Sequence, residues 1–97
     1  MISQKLLEQM IQKYGESKQL DMVIEECSEL IKAISKYKRE PEDSSCIKSI
    51  AEEEADVRIM LEQIDIMMLK YDPDYTKRVG CEMNIKEKRI KKMLGVE

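Results

Sequence analysis

The chain of 97 residues contains no histidine, no tryptophan and no phenylalanine. The first absence excludes Ser-His-Asp and Cys-His catalysis, His-ligated zinc and the Glu-x-x-His di-iron bundle. Any acid–base or metal chemistry must therefore use carboxylates, lysines, tyrosines or water. The other two absences leave the core to Ile, Leu, Val, Met and four Tyr, with eight Met residues making that core or an interface adaptable. The three cysteines, Cys27, Cys46 and Cys81, are odd in number and lack C-x-x-C spacing. They read as free thiols in a reducing compartment, not as a disulfide framework or a zinc site. No apolar run approaches the ~20 residues of a membrane span, and the N-terminus lacks a signal-peptide apolar region. A cytoplasmic location and no membrane partner are expected.

What is present suits one small globular domain spanning residues 1–97. Charged residues make up 38% and hydrophobic ones 42%, a balance that supports folding over disorder. A chain this short buries only about two-thirds of the surface its unfolded form exposes, so association of copies would help. The net charge of −3 argues against a nucleic-acid partner that needs a broad basic field. It leaves room for a small phosphorylated ligand held through a metal.

Apolar residues recur with a period near 3.6, and no alternating strand pattern persists. A first helix is expected after Ser3 as N-cap, with Leu6, Leu7, Met10, Ile11 and Tyr14 as its stripe and Gly15 as its C-terminal cap. A second is expected over about 17–38, with Leu20, Val23, Ile24, Cys27, Leu30, Ile31 and Ile34 facing a core. Residues 39–45, with Pro41, read as a loop. A third should start near Ser44 or Ser45 and run to about Tyr71, until Asp72-Pro73-Asp74 stops it. A fourth should span 74–94, with Tyr75, Val79, Met83, Ile90, Met93 and Leu94 on one side. Gly80 is expected to bend it, and Asn84 with Glu87 to mark a restart. Four helices joined by short loops predict an all-α, antiparallel four-helix bundle.

The chemistry-bearing feature is Glu25-Glu26-Cys27-Ser28-Glu29 on the second helix and Glu53-Glu54-Ala55-Asp56 on the third. A helix turns ~100° per residue, so Glu26 and Glu29 share a face, as do Glu53 and Asp56. Met22 and Ala33 widen the apolar arc of the second helix until it includes Glu26, with Glu29 at its edge. Glu53 falls between Met60 and Ile64 in projection, and Asp56 lies next to Met67. Acids in packed faces are costly: like charges ~4 Å apart repel by about 4 kcal/mol at an effective dielectric of ~20, and burial adds to that. A hard divalent cation with oxygen ligands resolves the conflict. A solvated acidic face paired with lysines is the plain alternative.

Glu25-Glu26-x-x-Glu29 followed by Glu53-x-x-Asp56 resembles the E-E-x-x-E…E-x-x-D signature of the MazG-like family, within the all-α nucleoside triphosphate pyrophosphohydrolases. The words Glu25-Glu26-Cys27-Ser28-Glu29-Leu30-Ile31-Lys32-Ala33 and Glu54-Ala55-Asp56-Val57 agree, and the resemblance covers roughly residues 15 to 90. It implies Mg²⁺-dependent hydrolysis of a nucleoside triphosphate between the α and β phosphates, giving the monophosphate and pyrophosphate, with Mn²⁺ as a substitute metal. It implies Glu26, Glu29, Glu53 and Asp56 as metal ligands and Glu25 as a water-orienting catalytic acid. Glu25 projects away from the arc that holds Glu26 and Glu29, in keeping with a lesser role. Asn84, Lys88 and Arg89 correspond to basic and amide residues that grip the substrate phosphates in some relatives, although Glu82 stands where a basic residue is expected. The resemblance also implies a homodimer or homotetramer, as do apolar arcs on the second and third helices too wide for one neighbour. Two alternatives remain: a metal- or nucleotide-binding helical module without catalysis, and a structural helical oligomer with no ligand.

Overall fold

The computed structural model describes residues 2–96. Helices α1 (Gln4–Tyr14), α2 (Glu16–Arg39), α3 (Ser44–Leu69) and α4 (Tyr75–Leu94) account for most of them, and there is no strand among the described residues. The all-helical expectation is met. No helix among the described residues is long and apolar enough to cross a membrane. The chain divides into two compact units, one ending at Met67 and the other beginning at Met68.

Local chemistry sets the helix ends. Ser3 is extended (φ −68°, ψ 145°) and its hydroxyl accepts from the Leu6 amide at 3.3 Å, as expected of an N-cap. Gly15 sits at φ 86°, where a side chain is disfavoured, and its amide donates to the Ile11 carbonyl at 2.8 Å. The same residue precedes α2, so one glycine both ends α1 and opens α2. The loop between α2 and α3 is shorter than expected, four residues from Glu40 to Asp43. α3 begins at Ser44, as expected, and Asp43 caps it. Its Oδ1 accepts from the Ser45 amide at 2.8 Å, the Cys46 amide at 3.2 Å and the Ser45 hydroxyl at 2.5 Å. A carboxylate is the stronger acceptor at a helix N-terminus, where the backbone dipole also favours negative charge.

The first unit packs α2 against α3 in opposite directions. The Gln19 side-chain amide donates to the Gln63 side-chain oxygen at 2.7 Å, and the two are only 2% and 1% exposed. Seven residues further along α2, Glu26 lies beside Asp56, which is seven residues back along α3. Equal steps in opposite directions define an antiparallel seam. Its positions recur at alternating spacings of three and four: Gln19, Met22, Glu26, Glu29 and Ala33 on α2, and Glu53, Asp56, Met60, Gln63 and Met67 on α3. Met60 and Met67 are buried within this seam, and Leu7 of α1 is buried as well.

Burial corrects the expected α2 stripe. Leu20, Ile24, Ile31 and Ile34 are exposed, with Ile24 at 69% and Ile31 at 64%. The face of α2 that packs within the chain is the polar-interrupted one through Gln19 and Glu26, because that face matches the α3 seam. The row Leu20, Ile24, Ile31, Ile34 is apolar surface that the chain itself leaves open.

The second unit is simpler. α4 has no buried residue, so Val79, Met83, Ile90, Met93 and Leu94 do not form the packed side expected of them. The helix also runs unbroken through Gly80 and Asn84, with no restart at Asn84. Ion pairs one turn apart, Glu82 with Lys86 at 3.5 Å and Glu87 with Lys91 at 3.4 Å, bridge that stretch. At its start, Asp72 accepts from the Asp74 amide at 3.0 Å and pairs with Arg78. The Arg78 hydrogen bond and the Asp74 amide hold the Asp72 carboxyl below its ordinary range. Gly95 closes the helix in the left-handed region at φ 69°.

Candidate metal centre

The carboxylates that spacing singled out on separate helices meet across the α2/α3 seam. Glu26, Glu53 and Asp56 each offer a carboxylate oxygen, and these oxygens all lie within 4.8 Å of one another. Glu26 and Glu53 are partly buried, while Asp56 is exposed. Helix periodicity explains the convergence. Glu53 and Asp56 are one turn apart on the α3 seam, and Glu26 occupies the α2 seam position opposite Asp56.

The Glu26 carboxyl is pushed above its ordinary range, first by desolvation and then by the negative charge of Asp56, with further repulsion from Glu53 and Glu25. Hydrogen bonding to Asp56 also favours its protonated form.

The neighbouring acids are occupied differently. Glu54 pairs with Arg58 at 2.7 Å. Glu29, on a seam position of α2, pairs loosely with Lys32 at 3.4 Å and does not join the trio in this arrangement. Its Lys32 partner is well exposed, so the pair holds Glu29 only weakly. Glu25 is exposed, and its backbone carbonyl accepts from the Ser28 hydroxyl at 2.7 Å. Asn84, Lys88 and Arg89 are exposed residues of α4 in the second unit.

The donor set fits a hard divalent cation. Oxygens in the first shell of one Mg²⁺ stand about 3 to 4.2 Å apart, given Mg–O distances of about 2.1 Å in an octahedron. The trio's spacing reaches that range with small side-chain movements. All-carboxylate ligands with no nitrogen or sulfur suit Mg²⁺, Mn²⁺ or Ca²⁺.

A second group with close ligand atoms, Glu40, Asp43 and Cys46, has a different character. Asp43 already accepts three donors, and the buried Cys46 thiol donates to Glu40 Oε2 at 3.5 Å. Burial and the Glu40 contact push the Cys46 thiol up, away from the thiolate a metal needs. This group is a helix cap with its hydrogen bonds satisfied.

The residue pair that sequence reading missed is Gln19–Gln63. Its signal was available: each glutamine stands seven residues from an acid of the trio, on the same three-four spacing. Compared with protein-family models, curated proteins and solved structures, the chain matches none.

Proposed function

We propose that Glu26, Glu53 and Asp56 hold Mg²⁺, with Mn²⁺ as a substitute, and that the protein is a nucleoside triphosphate pyrophosphohydrolase of the MazG-like kind. The observation that carries this reading is the convergence of three carboxylate oxygens within 4.8 Å across two helices. Desolvation and the neighbouring acids together push the Glu26 carboxyl up. A folded protein keeps such a repulsive set at a cost, and a bound cation removes that cost.

In this reading Glu29 exchanges its loose contact with Lys32 for the site and becomes a fourth ligand. Glu25, one residue from Glu26, orients the attacking water. The resemblance assigns phosphate contacts to Asn84, Lys88 and Arg89, which belong to the second unit of the chain. When bound, the metal supplies charge neutralisation for the triphosphate and a water of lowered pKa. A carboxylate of the set accepts the water's proton as the α–β phosphoanhydride bond breaks, leaving the monophosphate and pyrophosphate. The exposed row Leu20, Ile24, Ile31 and Ile34 on α2 supports the homo-oligomer expected of this family.

The test is product analysis with a panel of ribo- and deoxyribonucleoside triphosphates in Mg²⁺, scoring pyrophosphate against orthophosphate. The reading requires pyrophosphate and a monophosphate, lost on Glu26→Gln. A folded protein that releases neither product from any nucleotide contradicts it. Metal or nucleotide binding without turnover would then favour a non-catalytic binding module.

A further inference from the structure

The α2/α3 seam carries two polar layers one heptad apart, and they oppose each other energetically. The carboxylate layer repels: Glu26, Asp56 and Glu53 raise the free energy of the register that brings them together. Near the loop, the four residues Glu40–Asp43 and the Asp43 cap fix how α2 ends and α3 starts. Towards the far end of the hairpin, some twenty residues from that loop, the matching fixed point is the Gln19–Gln63 hydrogen bond. The acids lie between the two. Apolar neighbours alone would tolerate sliding or rotation of one helix on the other, because methionine packs adaptably and Met22, Met60 and Met67 line the same seam. A buried amide pair does not tolerate it, since a shift leaves a desolvated donor and acceptor without partners. A single buried polar residue that fixes helix register is the best-attested use of such groups.

We infer that Gln19 and Gln63 are positioning residues: their buried hydrogen bond locks the register of α2 on α3 and so holds Glu26 against Glu53 and Asp56. The inference rests on the metal-site reading for its functional consequence, but the register itself is testable without metal. Replacing both glutamines with leucine keeps the layer filled and removes the directional bond.

The experiment compares the wild type with Gln19→Leu/Gln63→Leu in two measurements. The first is Mn²⁺ titration by electron paramagnetic resonance, alongside melting in the absence of metal. The second is disulfide formation between Met22→Cys and Met60→Cys, which the register places in one layer, in chains whose native cysteines are replaced. The expected result is a leucine variant that melts at or above the wild type, binds Mn²⁺ at least ~10-fold more weakly, and forms the 22–60 disulfide more slowly. Gln19→Leu alone should melt below both, because Gln63 is left buried and unpaired. A leucine variant with wild-type Mn²⁺ affinity and an unchanged disulfide rate overturns the inference. A wild type that binds no Mn²⁺ overturns the metal reading instead, and the disulfide rates then decide the register lock alone.

Discussion

Two clusters of potential ligand atoms lie along the same helical hairpin, one at its loop and one on its seam, and their chemistry runs in opposite directions. At the loop, Asp43 sits with Glu40 and Cys46; along the seam, Glu26 sits with Glu53 and Asp56. The Asp43 carboxyl is held below its ordinary range, first by the Ser45 hydroxyl and then by the Cys46 and Ser45 amides. The Glu26 carboxyl is pushed above its own by desolvation and by other acids. The ligand atoms of each group lie within 4.8 Å of one another; the supply of donors differs. A carboxylate surrounded by N–H and O–H groups has its charge satisfied and stabilises the fold. A carboxylate surrounded by carboxylates is repelled instead, and that repulsion is what the proposed cation would relieve.

The comparison breaks most visibly through activity. Glu53→Gln should reduce pyrophosphate release by more than the ~10–100-fold that loss of an outer-shell partner costs a metal site, whereas Asp43→Ala should leave turnover per folded molecule unchanged. Steady-state assays at saturating Mg²⁺ check both. The order reverses in melting experiments without metal. Asp43→Ala should lower the melting temperature by several degrees, since three hydrogen bonds at the start of α3 are lost together. Glu26→Gln should raise it slightly by relieving repulsion.

Acidification should separate the two clusters by sign. Asp43 and Asp72 have lowered folded values, so the stability they contribute is present above the ordinary aspartate range and is lost as pH falls through their folded pKa values. Glu26 has a raised folded value, so its contribution is fully present below the ordinary glutamate range and is lost as pH rises through its folded pKa. Subtracting the melting curve of Glu26→Gln from that of the wild type, pH by pH, should therefore show wild-type stability improving on mild acidification. The same subtraction for Asp43→Ala should show the reverse. A common sign would mean that the two acids occupy equivalent environments.

A smaller effect sharpens the loop side of the comparison. Glu42 has φ 66°, a left-handed conformation that side chains disfavour. Glu42→Gly removes a strain of ~1–2 kcal/mol and adds ~0.5–1 kcal/mol of unfolded-chain entropy to be lost. A net gain of about 0.5 kcal/mol in denaturant melts is expected, with no change in metal response.

Much of this was legible in the sequence. Ser3 and Gly15 announced the ends of α1 through their capping chemistry, and Pro73 announced the end of α3. The pairs Glu26 with Glu29 and Glu53 with Asp56 followed from helical spacing, and three of the four acids do converge. Glu29 stays with Lys32 because spacing within one helix says nothing about which rotamer a neighbouring lysine favours. The seam was less legible. The apolar row Leu20, Ile24, Ile31 and Ile34 was the strongest signal on α2 and was read as facing the chain's own core. It is exposed: hydrophobic periodicity marks a face that burial would favour and does not say what covers it. The start of α3 at Ser44 was legible; its cap was not, because serine and aspartate are comparable N-caps by rank, and only the geometry selects the Asp43 carboxylate.

The central claim is that the seam acids form a cation site, and the most direct measurement is the melting temperature as Mg²⁺ is raised into the millimolar range, in the wild type and in Glu26→Gln and Glu53→Gln. Saturating metal should stabilise the wild type, by about 2.7 kcal/mol at a hundred times the dissociation constant. Both variants should melt higher than the wild type without metal and respond little to it. A wild type whose melting temperature is indifferent to Mg²⁺ and Mn²⁺, or variants that respond as strongly as the wild type, would contradict the claim.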